Sequence, residues 1–178
     1  MPKNISIEKT FASAVQNHQK NNFKVAENLY NQVLKIDPNH IKTIFFLGTL
    51  SVQTKNFDRA KQMLQKTIQA QPNNVDAHNN LGVVFKEFEE FQKAKDCFEK
   101  VIQIQPKHVD ALNNLGNVFK QLNEPQKAIN YYQKAIEIEP SYINAHQNLM
   151  DVCEKTNQIT ELKDAVSNAR TFLKDNSI

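Results

Sequence analysis

A fixed interval of 34 residues runs through most of the chain and constrains its fold more than any other feature. It is kept by four prolines and by all three glycines, which are Pro38, Pro72, Pro106 and Pro140, and Gly48, Gly82 and Gly116. A period of this length indicates an array of small units that bury their apolar faces against one another. The 178 residues therefore divide into a lead-in (1–6), four repeats (7–40, 41–74, 75–108 and 109–142) and a weaker fifth repeat (143–178).

Each repeat contains two amphipathic segments of about 13 residues, in which apolar residues recur at spacings of three and four. A polar turn separates them, so each repeat is predicted to be a helical hairpin. The proline at position 32, counted from the first residue of each repeat, ends the second helix because its ring removes a donor and displaces the preceding residue from the α region. With three glycines and no tryptophan, a β fold rich in tight turns is disfavoured. The predicted fold class is all-α.

Small residues recur where the two helices of a hairpin are expected to touch. Position 8 is glycine in three repeats, and position 20 is alanine in four, at Ala26, Ala60, Ala94 and Ala128. We expect these positions to let the two helix backbones approach, while bulky neighbours fill the space around them.

These residues resemble the pattern of the tetratricopeptide repeat (TPR) family. The third repeat carries the fullest version, Leu81-Gly82-x2-Phe85 followed by Ala94, Phe98 and Pro106. The second and fourth repeats carry part of it, Leu47-Gly48 with Ala60 and Leu115-Gly116 with Ala128. The chain departs from the pattern in having no tryptophan at position 4, and in having Ser13-Ala14 where Leu-Gly is expected. The resemblance implies a right-handed α-solenoid of about five helix-turn-helix hairpins.

The fifth repeat departs further from the pattern. Met150 replaces the glycine, Leu162 replaces the alanine, and Asp175 stands at the proline position. Solenoids need a polar terminal repeat that solvates their open end. We therefore expect residues 143–178 to form a capping hairpin followed by a short tail.

The resemblance also implies that positions 2, 5, 6, 9, 12 and 13 of each repeat line a concave groove. The predicted groove asparagines are Asn80, Asn114 and Asn148 at position 6, Asn79 and Asn113 at position 5, and Asn117 at position 9. An asparagine amide both donates and accepts, so a row of them can hold the main chain of an extended peptide whatever its side chains. The position-6 row is similar to the asparagine ladder of protein O-linked N-acetylglucosamine transferases. Alternatively, these amides are solvated or bonded to the neighbouring helix.

Phe45 and Phe46 occupy positions 5 and 6 of the second repeat and interrupt this row. The candidate apolar patch that they form would include Phe11, Val15 and Val52. Such a patch would anchor a ligand side chain or a helix. Alternatively, the N-terminal segment with Ile5 and Ile7 covers the rings, or the divergent first repeat packs them as core.

Composition and charge exclude several classes of protein. Basic and acidic residues number 22 and 19, and because the net charge of +3 is scattered, nucleic-acid binding is not expected. No apolar run approaches the roughly 20 residues that cross a bilayer, and the N-terminus resembles no signal peptide, so we expect neither membrane insertion nor export. Cys97 and Cys153 make no disulfide framework and fit a reducing compartment, so the protein is predicted to be cytoplasmic.

The sequence shows no catalytic or metal-binding pattern. His78 and His146 share position 4 but are two repeats apart, which places them on the order of 20 Å from each other, against a Zn–N bond of about 2 Å. The glycines lie within predicted helices and not in a phosphate-binding loop. We therefore predict no enzymatic activity, no metal and no cofactor.

The chain is thus predicted to be a non-enzymatic protein–protein interaction module that binds an extended peptide or a helix in its groove. The predicted contacts are the asparagines above, together with Phe45 and Phe46. Two alternatives stay open. The chain is a self-associating TPR scaffold, or it is a substrate-recognition or adaptor subunit for a transferase acting in trans.

Overall fold

The computed structural model describes residues 2–156, with side chains from Ile7 onward. In this range every regular element is an α-helix: α1 (Pro2–Gln19), α2 (Phe23–Ile36), α3 (Ile41–Gln53), α4 (Phe57–Ala70), α5 (Val75–Glu87), α6 (Phe91–Ile104), α7 (Val109–Gln121), α8 (Pro125–Ile138) and α9 (Ile143–Lys155). The predicted all-α class is confirmed. No helix within the described range is both long enough and apolar enough to span a bilayer.

The helices follow the 34-residue interval of the sequence. The first helices of repeats two to five, together with α1, are called the A helices, and they begin at Ile41, Val75, Val109 and Ile143. The second helices of repeats one to four are called the B helices, and they begin at Phe23, Phe57, Phe91 and Pro125. Because α1 begins at Pro2, the segment predicted as a lead-in is helical from that residue onward. The second helix predicted for the fifth repeat, with Leu162 and Asp175, lies outside the described residues.

Each of the four described A-to-B turns contains one residue with a positive φ at position 15, and none of them is glycine. These residues are Asn21 (φ 59°), Lys55 (φ 59°), Glu89 (φ 58°) and Asn123 (φ 59°). A left-handed residue after a helix lets the chain reverse while backbone donors satisfy the last carbonyls. In the second repeat, for example, the N–H of Asn56 donates to the carbonyl oxygen of Ser51 at 2.8 Å. The sequence predicts a polar turn but not this conformation, because only asparagine among these residue types favours it.

Two compact units make up the chain, residues 1–87 and 88–178. In the N-terminal unit, α1 pairs with α2 and α3 pairs with α4, while α2 packs on α3 and α4 packs on α5. A buried cluster joins both hairpins of this unit and consists of Ala14, Ala26, Tyr30, Leu47 and Leu50. In the C-terminal unit, α7 pairs with α8, α6 packs on α7, and α8 packs on α9. Buried side chains of this unit include Phe98, Leu112, Leu115, Tyr132 and Leu149.

Gly48 and Gly116 leave space for a bulky side chain of the B helix in the same repeat. A Cβ atom at Gly48 would lie 3.1 Å from Cγ of Leu64, and one at Gly116 would lie 2.7 Å from Cδ1 of Tyr132. Leu64 and Tyr132 both occupy position 24 of their repeats. The glycine at position 8 therefore accommodates the side chain at position 24, which is a more specific pairing than the general helix approach that the sequence predicts.

Candidate functional site

The predicted contact residues lie on A helices and fall into one group in each unit. The N-terminal group consists of Phe45 and Phe46 on α3 and Asn79 and Asn80 on α5. The C-terminal group consists of Asn113, Asn114 and Asn117 on α7 and Asn148 on α9. The two groups have different surroundings.

The two phenylalanines of the N-terminal group differ in how far they are packed. The ring of Phe46 stacks on Tyr30, with centroids 6.2 Å apart and an interplanar angle of 30°, and its edge meets Phe11 at 5.5 Å. Phe46 therefore packs against the core of the first repeat. Phe45 is half-buried, and the centroid of its ring lies 5.4 Å from that of Phe46. Of the two rings, Phe45 is thus the one that is less involved in the core.

A buried histidine beside these rings has two polar partners that the sequence did not reveal. His18 is 8% exposed, its Nε2 lies 2.8 Å from Oε1 of Gln53, and its Nδ1 lies 3.1 Å from the hydroxyl of Tyr30. Because a glutamine oxygen only accepts, Nε2 donates to it and Nδ1 accepts from Tyr30. Burial raises the pKa of Tyr30 to about 12, so this hydroxyl keeps the proton that it donates.

Asn80 is bonded to the neighbouring A helix, which is the alternative that the sequence left open. Its Nδ2 donates to Oγ1 of Thr49 at 3.1 Å, and that hydroxyl donates in turn to the carbonyl oxygen of Phe45 at 3.2 Å. This bond uses one of the two amide hydrogens of Asn80. Asn79 differs, because its Oδ1 is buried and has no hydrogen-bond partner in the described part of the chain.

In the C-terminal group, the position-6 asparagines also differ from each other. Nδ2 of Asn148 donates to Oδ1 of Asn113 at 2.9 Å, and Asn113 is only 5% exposed. Asn113 therefore supports Asn148 and is a poor candidate for direct contact with a ligand. Asn114 is half-buried, and its amide has no hydrogen bond to any described residue.

Asn117 lies three residues after Asn114 and thus on the same face of α7. Its Oδ1 accepts a hydrogen bond of 2.9 Å from the hydroxyl of Tyr132 on α8. Tyr132 is completely buried. Burial raises the pKa of Tyr132, and the nearby Asp151 carboxylate raises it further. The hydroxyl consequently stays protonated and remains a donor.

One carboxylate on α9 is shared by two lysines of the A helices in this unit. Asp151 lies 2.8 Å from Nζ of Lys155 and 3.2 Å from Nζ of Lys120. The hydrogen bond from Lys155 and the one from Lys120 lower the pKa of Asp151. This carboxylate is thus shared by two ammonium groups, one from α7 and one from α9.

The histidines and cysteines of the described residues have structural surroundings. Nε2 of His78 and of His146 each lies 2.9 Å from a carbonyl oxygen, that of Pro72 and Pro140 respectively. Burial raises the pKa of Cys97 to about 12, so its thiol is not poised as a nucleophile. Residues 2–156 hold no group of three or more His, Cys, Asp or Glu side chains that could bind a metal ion.

Sequence models of the tetratricopeptide repeat match residues 18–82, 75–108 and 109–142. Comparison with curated proteins finds no match. Among solved structures, a crystal structure of MamA is 25% identical, with a TM-score of 0.84 over 97% of both chains. A MamA from Desulfovibrio magneticus RS-1 is 16% identical, with a TM-score of 0.86 over 97% of this chain and 98% of the other. The pilF protein of Pseudomonas aeruginosa is 17% identical, with a TM-score of 0.80 over 96% of this chain and 78% of the other.

Altogether 470 chains of known structure match this one, so structural likeness establishes the fold without selecting one biological role. The matching sequence models say more about the kind of function, because they describe a repeat that serves as a protein-interaction scaffold. No enzyme family is among them. The matched segments run from residue 18 to residue 142 and agree with the hairpins described above. The chain therefore belongs to the tetratricopeptide repeat family.

Proposed function

We propose that this TPR protein binds an extended segment of a partner protein on the A-helix face of its C-terminal unit, and that asparagine amides hold the main chain of that segment. The observation that carries the proposal is the amide of Asn114, which has no hydrogen bond within the described residues. Asn117 and Asn148 lie on the same pair of A helices, and each uses only part of its hydrogen-bonding capacity inside the protein.

The chemistry of these amides favours an extended ligand over a helical one. An extended main chain offers free N–H and C=O groups, whereas those of a helix are bonded to each other. Each new hydrogen bond contributes about 0.5 to 1.5 kcal/mol net, so a few amides alone would bind weakly. Contacts made by the side chains of the bound segment would add affinity.

The proposal is tested by Asn114→Ala, because this side chain has no internal bond to lose. Peptides are first selected from a random display library on the wild-type chain, and failure to select any would contradict the proposal. We expect Asn114→Ala to weaken the selected peptides about 2- to 10-fold, the size of one net hydrogen bond, as measured by calorimetry. The melting temperature should not change.

The matched control is Asn130→Ala, which removes an exposed amide from α8 of the same unit. It should leave both affinity and melting temperature unchanged. Asn148→Ala is a less suitable test, because it would leave Oδ1 of the buried Asn113 without its donor and so reduce stability as well. Undiminished peptide affinity in Asn114→Ala would rule out a role for this amide in holding the ligand.

A second candidate function, self-association, is favoured by the charge of the two units. Residues 1–87 contain eleven basic and six acidic side chains, a net charge of +5, whereas residues 88–178 contain eleven and thirteen, a net charge of −2. Opposite charges on two copies of the chain attract each other, and salt screens this attraction. The N-terminal unit of one copy would then bind the C-terminal unit of another.

Self-association predicts that the mass measured by sedimentation rises with protein concentration at low salt and returns to 20.5 kDa at high salt. Lys24→Glu reduces the positive charge of the N-terminal unit and should weaken the association. Lys107→Glu is the matched control, because it makes the C-terminal unit more acidic and should not weaken it. Both lysines are exposed. A monomer at every concentration and salt would exclude this candidate.

The remaining alternative from the sequence, an adaptor for a transferase acting in trans, stays a prediction. Copurification of a transferase activity with the wild-type chain, and its reduction in Asn114→Ala, would be the expected results. If Asn114→Ala retains both the transferase activity and its copurification, the adaptor role does not depend on the proposed amide contacts.

A further inference from the structure

Within residues 2–156, the side chain of Asn117 is hydrogen-bonded to the hydroxyl of Tyr132, which comes from the B helix of the same repeat. The tyrosine ring occupies the space that a side chain at position 116 would need, since a Cβ there would lie 2.7 Å from Cδ1 and 2.9 Å from Cζ. Gly116 thereby allows a fully buried tyrosine to place its hydroxyl 2.9 Å from Oδ1 of Asn117.

This contact determines which way the amide of Asn117 is turned. A buried phenol has one proton to donate, and Oδ1 of Asn117 is its acceptor. If the amide were turned around, its NH2 group would meet the hydroxyl and the phenol proton would have no acceptor among the described residues, which is unfavourable for a buried donor. The oxygen is therefore held by Tyr132, and the NH2 group of the half-buried Asn117 is left available.

We infer that Tyr132 is a positioning residue that makes Asn117 a fixed hydrogen-bond donor for a carbonyl oxygen of the bound main chain. The inference rests on the proposed function and adds the direction of the hydrogen bond, in which Asn117 donates and the ligand accepts. Within the described residues, at Asn117 the oxygen already accepts a bond while both N–H groups are free, whereas at Asn148 one N–H is bonded to Asn113 while the oxygen is free to accept. An extended segment is consequently held with a carbonyl group at Asn117 and an N–H group at Asn148.

The arrangement occurs in one of the first four repeats of this chain. Position 24 holds Tyr30, Leu64, Phe98 and Tyr132 in the first four repeats, and position 9 holds Val15, Thr49, Val83 and Asn117. The hydroxyl of Tyr30 has a different partner, His18. Within these four repeats, a tyrosine at position 24 and an asparagine at position 9 thus occur together only in the fourth.

The inference is tested with a short peptide of alternating alanine and glycine, acetylated and amidated at its ends, which offers main-chain groups and no polar side chain. It is titrated to millimolar concentration into the isotopically labelled full chain, and the side-chain amide signals of Asn114, Asn117 and Asn148 are followed by NMR. In the wild type we expect all three to shift. In Tyr132→Phe we expect the Asn117 signals to shift at about 2- to 10-fold higher peptide concentration. Without the tyrosine hydroxyl, the amide of Asn117 is free to turn and is no longer held with its N–H groups toward the peptide.

Tyr131→Phe is the matched control, because it removes the hydroxyl of the adjacent tyrosine, which stacks on Phe119 at 5.4 Å. It should behave as the wild type. A second measurement compares Asn117→Ala with the double variant Asn117→Ala/Tyr132→Phe. If Tyr132 acts through Asn117, the tyrosine substitution has no further effect on peptide affinity in the absence of Asn117.

The outcomes separate this inference from the proposed function. If none of the three asparagines responds to the peptide, main-chain binding on this face is wrong and both ideas fall. If Asn114 and Asn148 respond but Asn117 does not, or if Tyr132→Phe responds as the wild type does, the proposed function stands and the role of Tyr132 is refuted. A weakening of equal size in Tyr131→Phe would likewise refute it.

Discussion

Gly116→Ala should destabilise the C-terminal unit by about 1 to 3 kcal/mol, although alanine is the better helix former. The added Cβ would lie 2.7 Å from Cδ1 and 2.9 Å from Cζ of Tyr132, well inside van der Waals contact. The ring is fully buried and has no flexible end that could turn away, so either the ring or α7 must shift. Such a shift would also disturb the hydrogen bond between Tyr132 and Asn117. Urea unfolding followed by circular dichroism measures the loss.

Gly48→Ala is the control for this prediction, because it makes the same change at the same position of the second repeat. Its Cβ would lie 3.1 Å and 3.2 Å from Cγ and Cδ2 of Leu64, which requires movements of only a few tenths of an ångström. Alanine gains roughly 0.5 to 1 kcal/mol over glycine in a helix, which offsets part of that cost. We therefore expect Gly48→Ala to be much milder. Equal effects of the two substitutions would contradict the pairing of positions 8 and 24.

Tyr30→Ala should lower the free energy of unfolding of the N-terminal unit by about 3 to 5 kcal/mol, the usual cost of truncating a buried aromatic residue. Tyr30 is completely buried, and its ring lies 6.2 Å from the rings of both Phe11 and Phe46. Its removal opens a cavity in the cluster that joins the first two repeats. The unfolding transition of the chain in urea gives the magnitude.

Tyr30→Phe separates the hydroxyl from the ring. It keeps the aromatic packing but removes the donor to Nδ1 of His18, and an unsatisfied buried polar group costs about 1 to 3 kcal/mol. We expect a loss intermediate between the wild type and Tyr30→Ala. In a His18→Phe background, which has no ring nitrogen, the same substitution should cost less. Unchanged stability in Tyr30→Phe would show that the hydroxyl does not stabilise the unit through His18.

The asparagines at position 6 show how far a repeat pattern predicts a site. The sequence placed Asn80, Asn114 and Asn148 at equivalent positions, and the structure places all three on A helices. Their hydrogen bonds nevertheless differ, because Asn80 meets Thr49 and Asn148 meets Asn113, while Asn114 has no partner among the residues described. A pattern that gives one position one role cannot predict this, since each partner is contributed by the preceding repeat.

The aromatic residues of the second repeat also show that the repeat pattern predicts the position of a residue but not its contacts. Phe45 and Phe46 are adjacent in sequence and both were candidates for an exposed patch. Phe46 packs on Tyr30 and Phe11, so its ring is shared with the core of the first repeat, whereas Phe45 is less involved in it. The divergent first repeat, with Ala14 in place of glycine, contributes to this core in a way that depends on side-chain packing.

The sequence by itself determined the all-α class and the 34-residue interval at which the helices recur. These properties depend on local interactions, namely apolar spacing, proline and helix propensity, and they recur wherever the 34-residue pattern recurs. Only the tertiary structure decided which amides are available to a ligand and that Tyr132 reaches Asn117. The physical reason is that hydrogen bonds between side chains 15 to 35 residues apart depend on how neighbouring helices pack, and no local pattern encodes that packing.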